Sequence, residues 1–271
     1  MTKTNGSRKG FTLAEVLITL GIIGVVAAMT IPTLIQNTNS VKFATQFKKD
    51  ISTLSQAALM AQAQYDTDYG TTGAKCGTTE GEDDGAITGS AGGESLATGS
   101  NASICGILNS TLAGKTYLGL GNAVQSASDS SKKYVWSTGT QSDGSDSSMM
   151  TMTGSRALAN MHVYTLADGS LVGVPKDGVG CSLKPGAQLD AAVLSSGALK
   201  DCVGFIDVNG TALPNKETIC QTKSETKLDP STPCIVTDQA SQIGDIFPIV
   251  FHDGTVEPAS NAGKAVLTRG K

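Results

Sequence analysis

A single carboxylate interrupts an otherwise uncharged apolar segment near the start of the chain. From Phe11 to Ile35 the only formal charge is Glu15, four residues inside the segment. A carboxylate costs about 2.5–3.5 kcal/mol at the centre of a bilayer and less near its edge, so an acid there indicates a function and calls for a partner. A cut between Gly10 and Phe11 would create an α-amino group one helical turn from Glu15, on the same face.

The apolar segment has the length and the flanking charges of a membrane-spanning helix. At about 1.5 Å per residue, a helix over residues 11–35 exceeds the roughly 30 Å hydrocarbon core of a bilayer. The preceding residues include Lys3, Arg8 and Lys9 but no acid, and no basic residue follows the span closely. This asymmetry predicts a cytoplasmic N-terminus and an extracytoplasmic remainder.

Three interpretations of this segment are open. A secretory signal would be removed near Ala27 and Ala28, although its apolar core would be unusually long and would contain a carboxylate. A plain membrane anchor would let Glu15 reach the interface. A short leader would be cut before Phe11, and the apolar helix would be retained.

The third interpretation matches a known family. The run Gly10-Phe11-Thr12-Leu13-Ala14-Glu15 resembles the leader-peptidase site of type IV pilins and pseudopilins, with glutamate as the fifth mature residue. The close resemblance covers about residues 8–36. It implies that a prepilin peptidase removes residues 1–10 and methylates the amine of Phe11. It also implies that Glu15, under-satisfied in an isolated subunit, docks on the amine of a neighbouring subunit.

The resemblance implies a structural subunit of the bacterial inner membrane that passes into a type IV pilus or a type II secretion pseudopilus. Its partners would be other pilin or pseudopilin subunits, in a homo- or heteropolymer, and the prepilin peptidase, with the assembly platform and ATPase acting indirectly. No cofactor is expected. A membrane-tethered binding module that does not polymerise is the alternative, and an exported enzyme is a second one. Major or minor status, and a role in adhesion, motility, DNA uptake or export, stay open.

Three residues weaken the apolar helix. Pro32 costs roughly 3 kcal/mol inside a helix, and Gly21 and Gly24 cost roughly 1 kcal/mol each relative to alanine. Pro32 falls where the family commonly has a helix proline. Since both residue types are common in membrane helices, a tolerated kink is one reading, and a segment that bends during filament packing is the other. Filament packing would use the apolar side chains of Phe11, Leu13, Val16, Leu17, Leu20, Ile22 and Ile23.

Beyond Ile35 the pattern becomes amphipathic. Apolar residues recur at spacings of four and three, which predicts one helix from about Phe11 to about Gln64. This stripe would pack on a globular domain or, alternatively, in a coiled coil with another chain. Lys42, Lys48, Lys49 and Asp50 lie mostly off the stripe, which comprises Phe43, Phe47, Ile51, Leu54, Ala58, Ala61 and Tyr65.

The rest of the chain predicts antiparallel strands between long loops. Residues 70–103 and 126–155 are rich in Gly, Ser and Thr and are typical of surface loops. Residues 161–174 read as a hairpin around an Asp-Gly turn, and residues 203–210 and 246–256 read as strands that enter tight turns.

A long helix followed by antiparallel strands predicts an α+β fold, with the helix packed on a C-terminal antiparallel sheet. The expected organisation is a leader at 1–10, a transmembrane and filament-core helix at 11–35, its amphipathic continuation at 36–69, and a disulfide-stapled extracytoplasmic domain at 70–271.

All six cysteines follow the span and would face an oxidising compartment, which favours disulfides. Six cysteines allow 15 connectivities. Pairing of neighbours would close loops of about 15–30 residues, each contributing roughly 3–4 kcal/mol in the chain-entropy model. The absence of a Cys-x2-Cys motif disfavours zinc. The expected pairs are Cys76–Cys105, Cys181–Cys202 and Cys220–Cys234.

Signals for other chemistry are weak. His162 and His252 lie in strand-like runs and read as packed or surface histidines, and no hydrolase, phosphate-loop or zinc-protease motif is present. We therefore expect no enzyme. Asp207 and Asn209 could begin a calcium loop, but the distant glutamate of an EF-hand is missing, and a plain turn is preferred.

Charge argues against direct nucleic-acid binding. The net charge of −4 would fall to about −7 once the leader, with its three basic residues, is removed. No basic patch with interleaved aromatic residues is present.

Overall fold

The structure is a computed structural model that describes residues 12–76, 102–120, 161–195, 197–210, 212, 216–222, 225, 228–237 and 243–268. A short 3₁₀ turn at Lys200–Cys202 precedes the fourth strand. The helices are α1 (Leu13–Tyr65), α2 (Ile104–Thr111), α3 (Ala191–Ser195) and α4 (Asn261–Thr268). The strands are β1 (Thr116–Leu120), β2 (Met161–Thr165), β3 (Leu171–Pro175), β4 (Val203–Asp207), β5 (Ile246–His252) and β6 (Thr255–Pro258).

Helix α1 is one continuous helix of 53 residues. Its first part, Leu13–Pro32, is long and apolar enough to cross a membrane, and none of this part is buried in the protein. The predicted helix from about Phe11 to Gln64 therefore agrees closely with the observed one. Pro32 lies inside the helix, and its role as a kink, with Gly21 and Gly24, stays a prediction.

The six strands form one antiparallel sheet in which strand order follows chain order, β1 to β6. The predicted hairpin is present: β2 pairs with β3 from Met161 opposite Pro175 to Thr165 opposite Leu171. Gly169 closes the turn with φ +91°, a conformation that glycine adopts without strain. The strands expected at 203–210 and 246–256 are β4 and the β5–β6 hairpin. The α+β prediction is confirmed.

The second half of α1 packs on this sheet. The ring of Phe47 stacks on that of Phe247 with centroids 4.0 Å apart. Farther along, the Tyr69 hydroxyl donates to the backbone carbonyl of Leu54 at 2.7 Å, and the Tyr69 and Phe251 rings pack edge to face with centroids 5.1 Å apart. The apolar stripe thus lies in the domain core, and the coiled-coil alternative does not describe it.

The buried face of α1 differs from the predicted stripe in several places. Ser40 and Ala57 are also buried, and Tyr65 is only partly buried. Asp50, expected off the stripe, is fully buried, whereas Ile51 is only partly buried. The spacing from Phe47 to Asp50 to Leu54 is three and then four residues, which places all three on one helix face. Because the predicted stripe was defined by apolar residues alone, it left out the Asp50 carboxylate on the core face of the helix.

The six cysteines form three disulfides between chain neighbours, Cys76–Cys105, Cys181–Cys202 and Cys220–Cys234. These are the pairs expected from the sequence. The first joins the segment after α1 to α2, and the second joins the segment after β3 to the start of β4. Most of the predicted loop at 70–103 and all of that at 126–155 lie outside the described residues.

Candidate processing and docking site

The N-terminus of α1 is a reciprocal capping box between Thr12 and Glu15. The Glu15 amide donates to Thr12 Oγ1 at 3.2 Å. In return, Glu15 Oε2 accepts from the Thr12 amide at 2.8 Å and from the Thr12 hydroxyl at 2.9 Å. Helices begin with backbone N–H groups that have no partner inside the helix, and this exchange satisfies two of them.

The capping box changes the expected state of Glu15. This carboxylate was expected to be under-satisfied in an isolated subunit, but Oε2 already accepts two hydrogen bonds. A negative charge in the first turn also interacts favourably with the helix dipole. The signal was present in the sequence, because Thr-x-x-Glu before an apolar run is a helix-start signature. Both bonds end on Oε2, so the capping box does not use Oε1.

The two predicted processing residues, Gly10 and Phe11, lie outside the described residues. Thr12 has extended backbone angles, φ −77° and ψ 149°, and the helix begins only at Leu13. The proposed cleavage bond therefore precedes the helix by two residues. Glu15 lies within the first turn of this helix.

Comparison with known proteins supports the interpretation of the N-terminal segment as a prepilin-type leader and helix. A family model described as the prokaryotic N-terminal methylation motif matches residues 5–31. This is the prepilin-type motif of type IV pilins and pseudopilins, a structural family that is generally non-enzymatic. No curated protein and no solved structure matches the chain. The prepilin motif thus overlaps the one helix in the described part of the chain that is long and apolar enough to cross a membrane, as expected of a pilin-like or pseudopilin precursor.

Replacing Thr12 with alanine should loosen the start of α1. The lost cap costs about 0.5–2 kcal/mol, so the amides of the first turn should exchange roughly two- to thirtyfold faster. Hydrogen exchange on the full chain in detergent micelles measures this. The control is Thr19→Ala, because that hydroxyl donates to the Val16 carbonyl inside the same helix and caps nothing. Equal exchange in both variants would contradict the capping role.

The two histidines are packed in the sheet domain, as expected. His162 on β2 is fully buried, with Nδ1 2.8 Å from the Tyr117 hydroxyl. Within the described ranges, the one group of side chains placed to hold a metal is His162 with Cys76 and Cys105. Those two sulfurs are joined in a disulfide, which leaves them no thiolate for a metal.

His252 belongs to a cluster that resembles a catalytic triad only in composition. Its Nδ1 lies 3.0 Å from Asp253 Oδ2, and the Ser182 hydroxyl donates to Asp253 Oδ1 at 2.8 Å. In a triad the hydroxyl is bonded to the imidazole that takes its proton. Here the hydroxyl is bonded to the carboxylate instead, an arrangement that does not activate Ser182.

Asp253 serves as a structural junction. Its backbone bonds to Tyr69 and to Cys181, and its Oδ2 accepts from the Leu183 amide at 3.2 Å. Burial alone would raise the pKa of Asp253, but hydrogen bonds from His252, Ser182 and Leu183 hold this pKa below its ordinary value. The ionised carboxylate therefore ties the β5–β6 turn to Ser182 and Leu183, and the backbone carbonyl ties the same turn to Tyr69.

The weak calcium candidate forms a turn after β4. Asp207 is fully buried, and its Oδ1 accepts from the Asn209 amide at 3.1 Å. An aspartate that bonds the amide two residues ahead is a common way to start a turn, as the plain-turn reading expects. Calcium binding at Asp207 and Asn209 stays a prediction.

Proposed function

We propose that this chain is a structural prepilin-like subunit that is processed between Gly10 and Phe11 and assembles into a type IV pilus or a type II secretion pseudopilus. The prepilin-type motif over residues 5–31 carries this proposal. The fold supports it, because an apolar helical segment with no buried residue, Leu13–Pro32, runs without interruption into a disulfide-stapled α+β domain.

Docking uses the oxygen of Glu15 that the capping box leaves aside. Oε2 stays on Thr12, and Oε1 receives the methylated amine of Phe11 from a neighbouring subunit. Opposite charges about 4 Å apart attract by about 4 kcal/mol at an effective dielectric of 20, before desolvation is subtracted. Much of this attraction only offsets the cost of desolvating the two charges. The pair therefore adds little net affinity and serves mainly to set the register between subunits.

The continuous helix connects assembly to the folded domain. The first half of α1 is apolar and exposed, and the second half is fixed in the core by Phe47 and Leu54. Subunits that pack through the first half therefore hold their domains at a defined position around the filament. Before assembly the same apolar half would anchor the subunit in the inner membrane, with the prepilin peptidase acting on the cytoplasmic side.

The decisive variant is Glu15→Gln. Glutamine at this position can still complete the capping box, so the substitution removes the charge and keeps the local helix structure. We expect normal leader cleavage and at least a roughly tenfold loss of the subunit from sheared filaments, the equivalent of about 1.4 kcal/mol. N-terminal mass spectrometry of membrane and sheared fractions measures cleavage, methylation and incorporation together.

Thr12→Ala is the matched control, because it weakens the cap and keeps the charge; it should retain most incorporation. Wild-type incorporation of Glu15→Gln would remove the docking role and favour a tethered binding module. A wild-type protein that still begins at Met1, or that begins beyond the apolar segment, would refute the processing proposal as a whole.

A further inference from the structure

Two carboxyl groups meet where α1 packs against the β2–β3 turn. Asp50 projects from α1 and is fully buried. Asp168 lies in the turn between β2 and β3, and the Gln46 side chain contacts both carboxyl groups, with Nε2 2.5 Å from Asp168 Oδ2 and 3.4 Å from Asp50 Oδ1. Two neighbouring ionised carboxylates repel each other, which favours a proton on one of them.

Asp168 is the ionised member of the pair. Lys49 Nζ lies 2.9 Å from its Oδ2, and Gln46 Nε2 donates to the same oxygen at 2.5 Å. The amide and hydroxyl of Ser170 donate to Oδ1 at 3.2 and 2.8 Å. Burial alone would raise the pKa of Asp168, but the hydrogen bonds from Lys49 and Ser170 hold it well below its ordinary value.

Asp50 lacks such donors. Gln46 Nε2 reaches its Oδ1 only at 3.4 Å, and its Oδ2 is buried with no hydrogen-bond donor. The Ser170 hydroxyl also lies near, but its single proton goes to Asp168. Burial and then the negative charge of Asp168 raise the pKa of Asp50 to about 8. A proton on Asp50 removes the charge repulsion, and the neutral acid can donate a hydrogen bond, which a carboxylate cannot.

We propose that one proton shared between Asp50 and Asp168 acts as a latch that holds α1 to the β2–β3 turn, and that alkaline pH opens this latch. The charged groups acting on Asp50 in the described part of the chain are Asp168 from the turn and Lys49 from its own helix. Lys49 is largely exposed and already paired with Asp168, and its attraction for an ionised Asp50 is the smallest of the effects on the pKa of Asp50. The latch does not depend on processing or assembly.

The pH dependence follows from the protons bound in each state. Unfolded Asp50 ionises near pH 4, whereas the folded chain keeps this proton until about pH 8. Between these values the folded state binds one more proton than the unfolded state, so stability falls as pH rises and levels off above about pH 8. The ionised Asp168 carboxylate has the opposite effect: it stabilises the folded state at higher pH, and this stabilisation is lost only as pH falls below about 4.

The test compares the full chain in detergent micelles with its Asp50→Asn variant. Asparagine is nearly isosteric, stays neutral, and can donate to Asp168 as the protonated acid does. We expect the Tm of the wild type to fall from pH 5 to pH 8 and then level off. The Tm of Asp50→Asn should lose this fall and exceed that of the wild type at pH 9.

The matched control is Asp177→Asn. Asp177 pairs with Lys75 at the same 2.9 Å, but this pair lies at the surface, with Asp177 29% and Lys75 60% exposed. This variant should keep the wild-type pH profile. The latch is overturned if Asp50→Asn shows the same fall in Tm between pH 5 and pH 8 as the wild type.

An infrared measurement on the wild type needs no variant to fold. With carbon-13 in aspartate, a protonated carboxylic acid band at pH 6 that disappears as pH rises through about 8 is the expected result. Absence of that band at pH 6 would also overturn the proposal.

Discussion

Replacement of Phe47 by alanine is expected to lower the Tm of the folded domain by roughly 6–20 °C. Phe47 is fully buried on α1 and stacks on Phe247 of β5 with centroids 4.0 Å apart. Removing a buried phenylalanine costs about 3–5 kcal/mol, and each kcal/mol corresponds to about 2–4 °C in a domain of this size. Thermal unfolding of the oxidised full chain in micelles, followed by near-ultraviolet circular dichroism, measures the change.

Val41→Ala on the same helix is the control. Val41 is 66% exposed, so its truncation should change Tm by no more than about 2 °C. A similarly small change for Phe47→Ala would show that α1 is not fixed to the sheet through this ring. The continuity between the apolar half of the helix and the domain would then lose its main support.

The packing of α1 was predictable because periodicity reports which face is covered. The apolar stripe containing Phe47 and Leu54 repeats at helical spacing, and both side chains are buried as expected. The hairpin at 161–174 was predictable for a similar reason, since β-rich runs flank an Asp-Gly turn. Tight turns carry their own chemistry, so the local sequence is sufficient to identify them.

Other elements gave no comparable signal. Helix α2 has only eight residues and begins beside the Gly- and Ser-rich tract that predicted a loop. Strand β1 contains Gly119, whose φ is +107°, where the pairing with β2 shifts register. Short elements of this kind are stabilised mainly by tertiary packing, which the local sequence does not contain.

The sequence was sufficient to identify the charged residue of the candidate site, but the hydrogen bonds of that residue were not predicted. Glu15 stands out because it is the one charge in an apolar run. Its bond to Thr12 was missed, although the spacing was visible. Asp50 was placed on the wrong face of the helix for a different reason. A stripe defined only by apolar residues leaves out a buried carboxylate. The partner of this carboxylate, Asp168, lies in a turn that is distant in the sequence.

Gly204→Ala is expected to destabilise the domain by about 3 kcal/mol, a loss of roughly 6–12 °C in Tm. A Cβ at this position would lie 2.2 Å from the carbonyl oxygen of Gly173 and 2.9 Å from the Phe251 ring. The ring can shift, but the carbonyl belongs to the neighbouring strand β3 and can move only with the sheet backbone. Where space allows, alanine in place of glycine usually stabilises by about 0.4–1 kcal/mol, so the close approach here should reverse the sign.

Gly254→Ala in the β5–β6 turn separates crowding from a general effect of glycine removal. A Cβ there would meet only a Leu59 methyl group at 3.6 Å, an ordinary contact, so Tm should change by no more than about 2 °C. A Gly204→Ala variant that melts like Gly254→Ala would mean that β3 and β4 are farther apart in solution than the structure places them. In that case the centre of the sheet on which α1 packs would need to be revised.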